Sequence, residues 1–360
     1  MATKRRAQAA GTKAKAAKAI VAEAAIPETV SEAYLCLLKS RGIDWLFANA
    51  GTDFAPIIEG LTRGNAAGLD MPEAVAITHE NVAVGMAHGY YLVTGRPQAV
   101  MFHVNVGTAN ALMGLINAAR DNVPIFFTSG RTPITEAGRT GSRDLPIHWG
   151  QEMFDQAGML REVVKWDYEL RFGEQVEAIV DRALAIAMSE PKGPVYLSLP
   201  REALTEPCNG LAMAKTTRMP PPAPPAPNAE AIKEAAKLLS KAKRPLIIAG
   251  RGSAATFEPL AMLADRLAAP VVHHWASRLA MATDHPLHAG FDVRGWIEDA
   301  DVILAIDAMV PWIPSRHRPA AGCVTIQVGA DPYFSDLPMR SFPATVAIQS
   351  DTSQALQNIL

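Results

Sequence analysis

Cysteine is scarce in this 360-residue chain, which holds only Cys36, Cys208 and Cys323. They stand far apart and form neither a CxxC pair nor a Cys/His ligand spacing, which argues against a zinc site and a disulfide framework. Reduced thiols of this kind fit a cytoplasmic setting. Long apolar runs are also lacking. None approaches the roughly 18 uncharged residues that span a bilayer, and the start has no apolar signal core, so no membrane partner is expected. A dominant charge sign is missing as well: 34 Lys+Arg against 36 Asp+Glu leave a formal −2, too little to grip nucleic acid or an anionic surface. Charged residues make up 19% and hydrophobic residues 49%, which is the balance of a folded protein with large dry interiors rather than of a disordered one.

Two segments depart from that average. Residues 1–25 carry Lys4, Arg5, Arg6, Lys13, Lys15 and Lys18 against Glu23 alone, a local +5 that leaves −7 for the remainder. A nucleic-acid arm or a transit peptide would use such a stretch, but without aromatics and almost without hydroxyls it reads as a solvated tail. No nucleic-acid partner is therefore expected. The second segment, Pro220–Pro227, has prolines at six of its eight positions, which no helix or central strand absorbs, so it reads as an extended linker. The organisation expected is a tail over 1–25, a domain over 26–205, a linker over 206–228 and a second domain over 229–360.

Within the first domain, helical spacing over Thr29–Ser40 precedes a short strand, Ile43–Phe47. Further strands are expected at Glu73–Ile77, Gln98–Val104, Pro124–Thr128 and Pro194–Ser198, with helices over Glu80–Thr94 and from Gly107 to about Asp121. The second domain repeats the rhythm with Arg244–Gly250, Pro270–His273, Ala300–Ile306 and Cys323–Val328, each a strand with a helical stretch before the next. Alternation of this kind predicts two α/β domains, each a doubly wound, Rossmann-like parallel sheet, joined by the proline-rich linker. Gly250-Arg-Gly252 follows a strand but lacks the third spaced glycine of a dinucleotide fingerprint.

In such sheets the ligand crevice lies beyond the carboxyl ends of the strands, which directs attention to the turns after Phe47, Ile77 and Val104. Glu80 opens a helix of small residues, and His103 lies in a stretch expected to be strand. Singly, the first suits a favourable first-turn charge and the second a satisfied core histidine. Their arrangement says more. Thr78-His-Glu80 through Ala87-His-Gly-Tyr90 and Thr94-Gly-Arg-Pro97, then His103-Val-Asn-Val-Gly107-Thr-Ala-Asn110, then Gly193-Pro-Val-Tyr-Leu-Ser198-Leu-Pro200, together resemble the thiamine-diphosphate-dependent enzymes of the acetolactate synthase, pyruvate oxidase and benzoylformate decarboxylase group. The likeness covers most of residues 28–350.

That resemblance implies a thiamine diphosphate cofactor, a small 2-oxo acid substrate, and decarboxylation or carboligation as the reaction. It assigns Glu80 to the cofactor's aminopyrimidine ring. A carboxylic acid bonded to N1′ stabilises the imino tautomer that removes the thiazolium C2 proton, an exchange that glutamine cannot perform. Asn49, Ala50, Gly51 and Asn110 are implied as cofactor contacts. Thr52, His103 and Gln151 are implied on the substrate side, with His103 relaying protons. Ala50 and Thr52 stand where the family's loop has proline and serine, and Gln151-Glu152 resembles the Q-E pair of acetolactate synthases.

Full-length members hold the diphosphate and Mg²⁺ through a G-D-G…N motif in a third domain, and no Gly-Asp-Gly occurs here. The expectation is a fragment or half of a split enzyme, inactive alone, with Mg²⁺ bound through a domain or a separate chain. FAD, held by the central domain of acetolactate synthases, is the less favoured occupant, because Ile306–Trp312 lacks the arginine and acidic cluster of that site. A homodimer or homotetramer is implied. The rival reading is a non-catalytic Rossmann-like nucleotide-binding or regulatory module, favoured if Glu80 faces solvent.

Overall fold

A computed structural model describes residues 25–208 and 217–360. Apart from residue 25, the expected basic tail lies outside these residues, as does part of the expected linker. The first half runs α1 (Val30–Ser40), β1 (Trp45–Asn49), α2 (Ala55–Ala67), β2 (Glu73–Ala76), α3 (Glu80–Thr94), β3 (Ala99–Phe102), α4 (Val104–Arg120), β4 (Phe126–Arg131), α5 (Pro146–Gln151), β5 (Asp167–Glu169), α6 (Val176–Met188), β6 (Val195–Pro200) and α7 (Arg201–Thr205). Its six strands are all parallel, in the order β2-β1-β3-β4-β6-β5. Successive strand residues face opposite ways, and the two cores follow that alternation. Leu46, Met101, Phe126 and Leu197 pack with α1 and α6, while Phe47, Val100, Phe102, Phe127 and Tyr196 pack with α3 and α4.

The second half runs α8 (Ala229–Lys241), β7 (Pro245–Ala249), α9 (Ala254–Leu267), β8 (Val271–Val272), β9 (Val302–Ile306), β10 (Val324–Gly329), β11 (Val346–Gln349) and α10 (Thr352–Ile359). Its five parallel strands take the order β11-β10-β9-β7-β8. Both sheets are therefore doubly wound, and each has a point where the chain changes direction across the sheet: between β1 and β3 in the first, between β7 and β9 in the second. The residues from Pro220 to Asn228 form neither helix nor strand.

Three expectations are corrected. β3 ends at Phe102 and α4 begins at Val104, so His103 is the helix cap rather than a strand residue. The chain turns there because Val104 takes a positive φ of 30° and gives its N–H to Asp53 Oδ2 at 3.2 Å. Between β8 and β9, and between β9 and β10, no helix forms; Gly290, Gly295 and Gly322 all adopt positive φ in those stretches, which helix does not allow. β5 and β11 were not foreseen, since both are short and largely half-buried, β5 without apolar neighbours in a row and β11 with only Val346-Ala-Ile348.

At the second switch point Asp307 is half-buried, takes φ 43°, and accepts a 2.5 Å hydrogen bond from Thr352 Oγ1. Burial raises its carboxyl from 3.8 to about 6, with Thr352 and Arg251 opposing. A raised value in the folded state means that the associated stability is complete below the unfolded value and is lost as pH rises through about 6. Asp307→Asn, whose amide oxygen can still accept from Thr352, is therefore expected to melt higher than the parent at alkaline pH and to lose that advantage in acid. Parallel melting curves across pH check this; an advantage that grows in acid would reverse the sign.

Candidate active site

The first switch point places the loop after β1 beside the start of α4, and the chemistry gathers there. His103 caps α4 and stands one-fifth exposed at the crevice. Its Nδ1 meets Asp53 Oδ1 at 2.5 Å, and its Nε2 meets Gln151 Nε2 at 3.0 Å. Donation from the Gln151 amide requires a lone pair on Nε2, which puts the ring proton on Nδ1, facing Asp53. Asp53 is only 2% exposed and has its second oxygen on the Val104 N–H, so it fixes both the imidazole and the turn that presents it. Two glycines make room for this pair. A Cβ on Gly51 would collide with the His103 ring, and one on Gly130 would collide with the Asp53 carboxylate.

Glu80, the first residue of α3, is 7% exposed. Its carboxylate accepts from Asn110 Nδ2 at 3.3 Å, and among the described residues no cation pairs with it. A first-turn charge retained only for the helix dipole would have been left in water. Gly107 packs beside it: a Cβ there would clash with Phe102 Cβ at 2.8 Å and lie in ordinary contact, 3.4 Å, with Glu80 Oε1. His103, Gly107 and Asn110 occupy successive turns at one end of α4, so a single helix carries both polar groupings.

Gln151 is the last residue of α5, and the segment after it is clasped to β4. Arg131 ion-pairs with Glu152, binds Glu169 at 3.0 Å and donates to the Met153 carbonyl, while Thr132 also reaches Glu152. Gln151 Oε1 is buried without a partner among the described residues. Asn49 ends β1, half-buried; Ala50 and Thr52 are exposed in the same loop. None of the three side chains bonds to His103 or Glu80. The structure thus brings together Gly51, His103 and Gln151, and separately Glu80 and Asn110.

Asp53 escaped the sequence reading. In Gly51-Thr-Asp-Phe54 an aspartate before a helix reads as a capping residue, and nothing local ties it to a histidine 50 positions on. No group of three or more His, Cys, Asp or Glu suited to a metal lies among the described residues. No helix among them is long and apolar enough to cross a membrane.

A parallel sheet that opens a buried acid and a carboxylate-held histidine at its switch point, followed by a second sheet of the same build, marks a cofactor-binding α/β protein. The chain belongs to the thiamine pyrophosphate enzyme family: residues 28–159 match its N-terminal TPP binding domain and residues 232–359 its central domain. It is 30% identical over 344 residues to a probable 2-ketoarginine decarboxylase of Pseudomonas aeruginosa, covering 92% of this chain and 57% of that protein. A benzoylformate decarboxylase of the same organism is 27% identical, over 85% of this chain and 57% of its own length. A solved putative thiamin diphosphate-dependent enzyme from Mycobacterium smegmatis superposes with a TM-score of 0.75 at 26% identity, covering 92% of this chain and 62% of that one. The chain thus spans about half the length of the curated relatives that it matches.

Proposed function

We propose that this chain supplies the aminopyrimidine side of a thiamine diphosphate site in an enzyme that decarboxylates a 2-oxo acid or transfers the resulting unit to a second carbonyl. The observation that carries the reading is the burial of Glu80 against Asn110 and Gly107 with no cation to pair it. The rival reading, a silent nucleotide-binding or regulatory module, is favoured by that carboxylate in solvent, and the carboxylate is buried. The donor set suits the cofactor: a buried carboxyl for a ring nitrogen and a Gln151 oxygen unpaired among the described residues, beside a histidine that Gly51 and Gly130 leave room to seat. Thiamine diphosphate, when bound, supplies a nucleophilic carbon and an electron sink for the carboxylate that leaves.

The residues of this chain do the rest. Glu80 holds and exchanges a proton at N1′. Asn110 orients Glu80, and the Asn49-Ala50-Gly51 loop lies along the same crevice as a wall for the ring. His103, held by Asp53 on one nitrogen and Gln151 on the other, gives or takes a proton at the substrate, which Thr52 and Gln151 flank. In this proposal the diphosphate and Mg²⁺ are held by a domain or chain outside these 360 residues, since no Gly-Asp-Gly is present. No flavin is assigned to the central domain, which we read as a structural support, and the working units are 26–205 and 229–360 with 206–228 between them. A cytoplasmic location is part of the same reading. The test is thiamine-diphosphate-dependent CO₂ release by the complete enzyme from aliphatic, aromatic and acidic 2-oxo acids; no release from any of them would overturn it.

The same reading includes assembly. The outer face of α3 and α4 exposes Val82, Met86, Met113 and Ile116, with open space above Gly85 and Gly89. Such a face marks a contact surface, and we assign it to a homodimer, itself able to pair into a tetramer. Met113→Asp is expected to shift the complete enzyme toward monomer by light scattering. A monomeric parent would refute the assignment.

A further inference from the structure

Beyond the carboxyl end of β6 two arginines have no counter-ion among the described residues. Arg201 opens α7 immediately beyond β6, and Arg143 lies in the segment between β4 and α5 that folds over it: a Cβ on Gly141 would come within 3.0 Å of the Arg201 carbonyl carbon. Among the described residues the Nε atoms of both side chains are buried without a hydrogen-bond partner, and neither guanidinium forms an ion pair. By contrast Arg131 and Arg161 in the same half each bind two carboxylates. Burial, and then the cation of Arg143, hold the Arg201 guanidinium below its ordinary value, with Glu202 and Asp53 acting the other way. Asp53 is engaged elsewhere through both oxygens and Glu202 through one, while Glu202 Oε2 is buried without a hydrogen-bond partner and pairs with neither arginine among the described residues. Glu202 Oε1 accepts from the Thr135 N–H at 2.9 Å and its hydroxyl at 2.8 Å, while Asp53 serves His103 and Val104. Two half-buried like charges of this kind favour an anion that both can reach.

We propose that Arg143 and Arg201 form an oxoanion subsite for a second acidic group, a carboxylate or sulfonate, carried by the substrate in addition to its 2-oxo acid end. The departing carboxylate is the poorer candidate for this pair. It loses its charge as CO₂ forms, so two guanidinium groups on it would stabilise the starting state more than the transition state. A distal acid keeps its charge throughout, and its binding lowers KM without that penalty. The role in the reaction rests on the function proposed above. The anion binding does not, because it can be measured without thiamine diphosphate.

The experiment is titration of this chain with glutarate, ethanesulfonate and inorganic phosphate, read by calorimetry and by melting temperature, for the parent, Arg143→Gln and Arg201→Gln. At least one anion is expected to bind and to raise the melting temperature, with each variant weakening it about tenfold or more and salt weakening it further. Without ligand, the variants should melt no lower than the parent, since each removes one of two repelling cations. Tighter binding of phosphate than of glutarate, with the same dependence on both arginines, would keep the subsite but make its oxoanion a phosphate group. Binding of no anion, binding indifferent to both variants, or a lowered melting temperature of unliganded Arg201→Gln would overturn the proposal, the last by revealing a structural pair with Glu202.

Discussion

Replacing Glu80 with glutamine in the complete enzyme is expected to slow exchange of the cofactor's C2 proton by on the order of 10²-fold or more, the range of acid–base assistance. The substitution keeps the size of the side chain and its ability to accept from Asn110 Nδ2, which approaches at 3.3 Å. It removes only the capacity to hand a proton to a ring nitrogen. Because the carboxylate is buried and has no cationic partner, the variant breaks no ion pair, and its melting temperature should stay close to that of the parent. Exchange followed by quenched-flow NMR separates the outcomes cleanly. An unchanged rate in a folded, cofactor-bound variant would move the proton chemistry to another residue.

The second large effect concerns His103 and its support. His103→Ala should lower turnover by roughly 10²-fold with little loss of stability, because the ring stands at the crevice rather than in either apolar core. A core histidine would behave otherwise, leaving a cavity and unpaired polar atoms at a cost of about 1–3 kcal/mol. Asp53→Asn tests the support. An amide can donate to Nδ1 and so favours the tautomer with the proton on Nε2, which then faces the donating Gln151 amide. Turnover is expected to fall in this variant while KM changes less, and restoring a carboxylate with Asp53→Glu should recover part of it only if the loop tolerates the longer chain. Normal turnover of His103→Ala with a lowered melting point would defeat the catalytic reading.

Much of this was legible in the sequence because buried parallel strands write themselves as continuous apolar runs. Val100 to Phe102, Phe126 and Phe127, and Val302 to Ile306 are such runs, and each is a strand. Glu80 was legible for a different reason: its block of motifs has a family-specific spacing. What stayed hidden has no periodicity to betray it. β5 is Asp167-Tyr-Glu169, half-buried at the sheet edge beside β6, where one neighbour replaces two and no apolar run is required. Asp53 and His103 meet through the switch point of the sheet, a relation between β1 and β3 that only strand order creates. Arg143 and Arg201 are ordinary surface cations by composition, and their lack of partners becomes visible only when the segment at Gly141 closes over α7.

The attachment of α5 has a consequence for how this molecule can change over generations. Glu80 and Asn110 sit on α3 and α4, helices locked into a core that tolerates little alteration. Gln151 and Arg143, by contrast, ride on the segment between β4 and β5, which no sheet ladder includes and which is tied down largely by side-chain hydrogen bonds and ion pairs at Arg131, Gln156 and Glu202. Substitutions, insertions or rewired ion pairs there can reshape what the crevice admits while leaving the cofactor's proton partner where it is. Descendants of this chain can therefore trade one acid substrate for another without first giving up the chemistry they share.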